Sequence, residues 1–445
     1  MGGRIRHFLS EWRVVTNDQW VLAVVEHGYK LDFSVAPPLS KDPPEFTLQT
    51  SPCSLAMHEA IHGLLSKEAI RVVNPSVDGP GFYNHFFLVP KKTGGWRPIL
   101  NLRPLNRFLR TESFSMETTK SILAAVRPGD WMVSIDLKDA YFHIAIHEDF
   151  RKYLRFAING TVYEYIALPF GLASAPRIFT RVVLELIGFV HRQSIRTHPY
   201  LDDWLLLHQN RDVLHDHLVL VWSVLLRLGF IPSLEKSALT PSRDTTFVGM
   251  RLITQTGVVC PTQDRVDKLL TVINSILIRS SVPVKRILEV IGMMVSMLAI
   301  VPWARLRLRP IQLYLLALWR PSRQPLTYII RVRPMLRVHL WWWLDPENLL
   351  KGVPLQAPQP TQFLFTDAST SGWGAHLDEL TTSGTWSRDQ RERHINWLEL
   401  QAVFLALQRF QPSVVNQHVL VNTDNATVVA YINKMGGRDP QHCVT

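Results

Sequence analysis

Two stretches decide how this chain folds: WMVSIDLKDAYFHIAIHEDFRKYLRF (Trp131–Phe156) and HPYLDDWLLLH (His198–His208). In the first, WMVSID predicts an apolar strand that ends on Asp136, with Asp139 three residues further on. In the second, Asp202 and Asp203 stand between two short apolar runs, the pattern of a hairpin with acids at its tip. Adjacent carboxylates repel, so such a pair is costly unless a cation compensates it. Magnesium suits the arrangement, because it takes one or two carboxylates and completes its octahedron with water and substrate phosphate. If the two strands run side by side, Asp136 and Asp202 would bridge two ions, the arrangement that serves phosphoryl transfer. An isolated Asp-Asp pair is ordinarily turn chemistry, so the surrounding sequence has to decide.

Outward from these acids, short β-rich runs alternate with amphipathic ones. FFLVP, RPILNL, TVYEYIAL and WLLLH read as strands, while MHEAIHGLLSKEAI, APRIFTRVVLELIGFVHR and DVLHDHLVLVWSVLLRLG carry helical spacing. Elements of such different lengths predict an α+β domain, not a regular βαβ array. The 445 residues are enough for two to four domains, and 47% hydrophobic content excludes a mostly disordered chain. Cys53, Cys260 and Cys443 lie too far apart in sequence for a disulfide framework or a clustered zinc site. The opening MGGRIRHFLSEW has no apolar run behind its basic residues, so no secretory signal is expected. Val290–Ala304, the most apolar stretch, is too short to span a bilayer.

Lys and Arg number 48 against 37 Asp and Glu, a formal charge of +11 that makes a polyanion the natural partner. The excess is concentrated in residues 301–344, which hold eight arginines, among them Arg305, Arg307 and Arg309, and no acid. Aromatics interleave with them, so the stretch reads either as a nucleic-acid contact surface or as a basic helical region whose rings are core.

With the acids in this setting, the chain resembles reverse transcriptases over Phe86–Leu252. FFLVPKKTGGWRPILNLRPLN resembles the fingers motif, SIDLKDAYFHI the first palm motif, and YLDD the family signature. LPFGLASAPRIFTRVV, LGFIPSLEKSAL and FVGMRL follow in the family's order. The resemblance implies that Lys92 and Arg97 grip the incoming triphosphate and that Asp136, Asp202 and Asp203 hold the metals. It also implies that Tyr141 blocks a ribose 2′-hydroxyl and that Phe170 and Gly171 pack against the nascent base pair. Lys236 would be the general acid for pyrophosphate; an ordinary exposed lysine is the other reading of that residue. Phe170 is apolar where some retroviral enzymes carry glutamine, so it offers packing instead of a hydrogen bond.

A second set of acids follows the Pro-rich KGVPLQAPQPT (Lys351–Thr361). QFLFTDASTSGWGAHL reads as strand–turn–strand with Asp367 at the first strand's end. INWLELQAVFLALQRF is an apolar helix with one acid, Glu399, and HVLVNTDNATVVAYINK a strand ending at Asp424 before a helix capped by Asn425. DAS…GWGA, WLEL and TDN in this order resemble ribonuclease H, which implies that the three acids hold ions that activate water against an RNA–DNA hybrid. The family continues with a fourth acid; here the chain stops at Thr445, and Asp439 sits too early, before a proline. That leaves the ribonuclease H site incomplete as read.

The predicted architecture is a right-hand polymerase of fingers, palm and thumb followed by a C-terminally truncated RNase H-like α/β domain. Its segments are an N-terminal stretch (1–45), fingers and palm (46–260), a basic helical thumb or connection (261–350), a linker (351–361) and the RNase H-like domain (362–445). GGRIRHFLSEW with WVLAVVEHGYKLDF, and WWWLDPENLL, resemble the DIRS type of retrotransposon, which pairs this enzyme with a tyrosine recombinase. The implied activity is RNA- and DNA-directed DNA synthesis with two Mg²⁺ per site (Mn²⁺ the alternative ion), with RNase H attached. RNA template, DNA primer, RNA–DNA hybrid and dNTPs are the implied partners, in the cytoplasm, the nucleus or both, with no membrane. The rival readings are a decayed copy that only binds nucleic acid and a ribonuclease H without polymerase activity.

Overall fold

A computed structural model describes residues 1–42, 52–90, 94–110 and 112–435. The chain forms two compact units, Met1–Val248 and Gly249–Thr445. At the centre of the first is a four-stranded antiparallel sheet in the order Arg196–Tyr200, Asp203–His208, Trp131–Asp136, Ala238–Ser242. Trp204 to Leu207 are all fully buried, so both faces of the Asp203 strand are covered. An apolar run without alternation is what such a strand requires. Helix Ala175–Arg192 buries residues 175, 178, 179, 182, 183, 186, 187 and 190, one continuous stripe at 3.6-residue spacing.

Around this palm stand the hairpin His85–Pro90/Trp96–Asn101 and a three-stranded sheet of Ile70–Val73, Thr161–Tyr165 and Arg155–Ile158. The helix expected to run to Ile70 ends at Ser66 instead. Glu68 takes a left-handed conformation (φ 54°) and the β-branched Ile70–Val73 begins a strand. The N-terminal stretch is integral to this unit. Trp12 is fully buried and its Nε1–H donates to the Leu228 carbonyl at 3.1 Å. Tyr29 N–H donates to Ala145 O at 2.8 Å, and His147 N–H to Tyr29 O at 3.0 Å.

In the second unit, Met250–Ile253 pairs with Val258–Pro261. Helices Gln263–Leu277, Val284–Val295, Ala304–Leu318 and Pro334–Trp341 follow. The Pro-rich stretch after them is not simply a linker, since Val353 and Pro354 pair with Val259 and Val258. Then comes a sheet in the order Leu380–Thr385, Gly372–Leu377, Gln362–Ala368, Val419–Asn422. Its first three strands are antiparallel. The last is parallel to Gln362–Ala368, a pairing that needs a crossover, supplied by helix Ile395–Arg409. Asn425 caps helix Ala426–Asn433, accepting from the Thr427 and Val428 N–H groups. Among the described residues, no helix is long and apolar enough to cross a membrane.

Candidate active sites

Strand register brings the palm acids together. Asp136 and Asp203 are direct antiparallel partners, and Leu137 N–H donates to Asp202 O at 2.8 Å. The turn between the two hairpin strands is Leu201–Asp202, with Leu201 left-handed at φ 55°. A leucine there costs on the order of 1–2 kcal/mol, and the turn leaves Asp202 exposed at the tip. Burial pushes Asp203 up to about 6, helped by the charges of Asp202 and Asp136 and opposed by Lys236. Burial also raises Asp136, which Lys236 opposes and Asp202 and Asp139 reinforce. Asp136 Oδ1 is buried with no hydrogen-bond partner, and Lys236 Nζ approaches it to 3.6 Å. A cluster of carboxylates whose buried Asp136 oxygen meets only the Lys236 ammonium, with a carboxyl held up near 6, fits a hard divalent cation.

Lys236 belongs to a segment tied to the Asp136 strand. Ser233 N–H donates to Asp136 O at 2.7 Å, and Asp136 N–H donates to Ser237 Oγ at 3.0 Å. Tyr141, on the one-turn helix Ala140–His143, is 7% exposed and packs between Phe170 (4.8 Å) and Phe179 (5.4 Å). Burial pushes its hydroxyl up to about 12, with Asp202 adding to the effect. Phe170 is half exposed, and the next residue, Gly171, has φ 94°, a conformation that favours glycine. Asn106 holds this loop. Its Nδ2 donates to Gly171 O at 2.9 Å, and its Oδ1 accepts from Ala173 N–H at 3.0 Å. Sequence reasoning passed over Asn106, Ser233 and Ser237; polar side chains in loop-like stretches carry no signal until their partners are known. Arg97 is exposed on the hairpin strand opposite Val89. Lys92 lies outside the described residues.

In the second unit, Asp367, Glu399 and Asp424 bring one carboxylate oxygen each within 4.8 Å of the others. Among the described residues the palm acids do not gather so tightly. Glu399 is 4% exposed on its helix; burial raises its carboxyl, the charges of Asp367 and Asp424 add to this, and the Ala368 N–H opposes it. Glu399 Oε2 is buried and unbonded. This triad fits a divalent cation on the same grounds as the palm. A cleft of about 650 Å³ opens onto Asp367 and Asp424, and the Phe365 and His376 rings on its wall stack at 4.6 Å. Asp439 lies outside the described residues.

The arginine stretch divides by role. Arg305 and Arg307 are exposed and Arg309 half-buried on helix Ala304–Leu318, with the Arg307 guanidinium over the Trp342 ring at 5.6 Å. Arg337 is structural: its Nη2 donates to Arg279 O at 3.0 Å and its Nη1 to Leu277 O, at the end of helix Gln263–Leu277. Among the aromatics, Tyr314, Trp319 and Trp343 are core, whereas Trp303, Tyr328 and Trp341 are exposed.

A central antiparallel sheet with acids at one strand end and hairpin tip, followed by a crossover sheet with its own acid triad, defines a polymerase fold with an RNase H-like domain. Residues 89–252 match the family model described as reverse transcriptase (RNA-dependent DNA polymerase), so the chain carries a reverse transcriptase domain, and its homologues are retroelement polyproteins. The Enzymatic polyprotein of Cauliflower mosaic virus (strain Strasbourg) is 22% identical over 363 residues, 77% of this chain and 50% of that protein. The Transposon Tf2-3 polyprotein of Schizosaccharomyces pombe is 27% identical over 183 residues, 41% of this chain and 13% of that one. The chain therefore spans at most half the length of these two relatives. Foamy viral protease-reverse transcriptase shares the fold. In complex with double-stranded DNA its TM-score is 0.61 at 18% identity, covering 96% of this chain and 76% of that one. In complex with an RNA/DNA hybrid the values are 0.58 and 17%, covering 98% and 62%.

Proposed function

We propose that this chain is an RNA- and DNA-directed DNA polymerase of a retrotransposon, working by two-metal nucleotidyl transfer. The observation that carries the reading is the pairing of Asp136 with Asp203 beside Asp202, an acid cluster whose repulsion calls for cations. Two magnesium ions, when bound, would supply the charge that activates the primer hydroxyl and stabilises departing pyrophosphate. The three aspartates would hold that charge at the strand end. Tyr141, pressed between Phe170 and Phe179, presents a rigid ring edge to the sugar of the incoming dNTP and excludes a 2′-hydroxyl. Phe170 and the Gly171 backbone form the surface against the new base pair, which Asn106 holds in place. Arg97 and Lys92 supply cations for the triphosphate. Lys236, whose ammonium rests near Asp136, is placed to protonate pyrophosphate as negative charge develops there.

RNA template and DNA primer as partners are supported by the fold shared with a protein studied on double-stranded DNA and on an RNA/DNA hybrid. Exposed Arg305 and Arg307, with Arg309, are the phosphate contacts of this reading. It includes action in the cytoplasm or nucleus, where such nucleic acids are met, and the DIRS type, supported by GGRIRHFLSEW and WWWLDPENLL. The Asp367–Glu399–Asp424 triad favours a second activity, cleavage of RNA in RNA–DNA hybrids, carried by its close carboxylates and the unbonded Glu399 oxygen.

Primer extension on poly(rA)/oligo(dT) with magnesium tests the polymerase reading, with Asp202→Asn beside the parent. Incorporation by the parent and its loss in the variant are expected; equal incorporation by both would sink the catalytic claim. Hybrid cleavage lost in Glu399→Gln while extension persists would support the second activity, and cleavage unaffected by that change would remove it.

A further inference from the structure

His143 is a fully buried histidine that the mechanism above does not use. It closes the one-turn helix that carries Tyr141, and its ring lies against Phe230 at 5.3 Å. Its two nitrogens face different elements. Nδ1 is 3.0 Å from Ala140 O, within its own helix, and Nε2 is 3.0 Å from the backbone N of Ile231, 88 residues away. A backbone N–H can only donate, so Nε2 must accept, which assigns the proton to Nδ1 and makes the Ala140 carbonyl its acceptor. Both contacts need the neutral ring. Burial, the largest influence on it, pushes the imidazole down to about 4, so it is neutral wherever a polymerase would be assayed.

Ile231 opens the segment that leads to Lys236. Its carbonyl accepts from Lys138 N–H at 2.9 Å, and Pro232 bridges to Leu137. Ser233 and Ser237 then bind the two backbone groups of Asp136. The Lys236 segment is therefore tied to the Asp136 strand at both ends, through Ile231, Pro232 and Ser233 at one and Ser237 at the other, and His143 joins its Ile231 end to the Tyr141 helix by a side chain. A histidine serving only as core filler would need no acceptor aimed at a distant N–H.

We propose that His143, as a neutral hydrogen-bond acceptor, is the positioning residue that holds the Ile231–Ser237 segment in register with Asp136 and Tyr141 and so sets the place of Lys236. The inference rests on the polymerase reading for its effect on catalysis, but the tether itself has a readout that does not. His143→Met fills the space with no donor and only a thioether sulfur, a weak acceptor. His143→Gln puts an acceptor near the Nε2 position and should restore the tie to Ile231.

In hydrogen exchange on the full chain, His143→Met should speed amide exchange in residues 231–237 by about tenfold, the effect of one lost buried hydrogen bond. His143→Gln should return it close to the parent. In extension assays His143→Met should lower kcat by about tenfold while the KM for dNTP and template affinity change less than about twofold. In a Lys236→Ala background the same change should cost little more, since two residues acting through one step are non-additive. Exchange that is unchanged in 231–237, or that rises evenly across Met1–Val248, overturns the tether. A kcat loss as large in Lys236→Ala as in the parent overturns its action through Lys236. An inactive parent would count against the polymerase reading alone, since the exchange comparison decides the tether without it.

Discussion

Replacing Asp203 with asparagine removes a charge that the folded chain holds at a cost. The Asp203 carboxyl is raised from 3.8 to about 6 by burial and by Asp202 and Asp136. Two pKa units correspond to about 3 kcal/mol for an enclosed group. Because this carboxyl is partly open to solvent, screening leaves about 1–2 kcal/mol. Between pH 4 and 6 the folded chain keeps a proton that the unfolded chain has released. Stability therefore falls as pH rises through that window and stays lower above it. An asparagine side chain has nothing to ionise, so in EDTA at about pH 8 Asp203→Asn should be more stable than the parent by about 1–2 kcal/mol in urea unfolding, with the gap closing near pH ~4. Magnesium at about ten times its dissociation constant should return about 1.4 kcal/mol to the parent and little to the variant. The same variant should not extend a primer, so stability and activity move in opposite directions. Equal stability at the alkaline end, or a gap that widens toward the acid end, would refute the claim that these acids are a strained, cation-requiring cluster.

Converting Arg305, Arg307 and Arg309 to glutamine should weaken duplex binding with little base preference and reduce the log–log salt slope by about 2–3, read from titrations at several salt concentrations; an unchanged slope means these side chains face elsewhere. Tyr141→Val should raise ribonucleotide incorporation relative to dNTP by about ten- to a hundredfold, and it should cost about 2–4 kcal/mol because the ring is wedged between Phe170 and Phe179. Unaltered sugar selectivity in competition assays would contradict that role. Ending the chain at Pro360 should preserve extension and abolish hybrid cleavage, provided the Val353–Pro354 strand is kept; loss of both would mean that the two activities are not separable.

Much of the palm was legible because its chemistry and its patterning coincide. An apolar strand ending on Asp136, a hairpin tip with two acids and an 18-residue amphipathic helix are local statements, and each element formed over the expected residues. The second acid set was legible for the same reason, since Asp367 stands at a strand's end, Asp424 just after one, and Glu399 is the one acid inside an apolar helix. What the sequence hid was long-range pairing. Glu164 sits on a strand the sequence marks only as β-rich, yet it is 1% exposed and ion-paired at 3.0 Å with Arg155, itself 2% exposed. Trp12 finds its acceptor 216 residues away, and His143 its donor 88 residues away. Nothing in the local pattern distinguishes Arg337, which holds helix-end carbonyls, from Arg307, which is exposed over an indole ring. Asn106 is a loop residue by composition, and only the tertiary fold shows that it grips the turn at Gly171.

If the Asp136 cluster performs template-directed nucleotidyl transfer, that role is separable from holding nucleic acid. Asp136→Ala and the parent should be compared on the same poly(rA)/oligo(dT) with magnesium, measuring template affinity by filter binding and incorporation by single-turnover extension. Affinity should stay within about threefold while incorporation falls by about a thousandfold or more. Incorporation that survives the substitution, or that falls only in step with affinity, would contradict it.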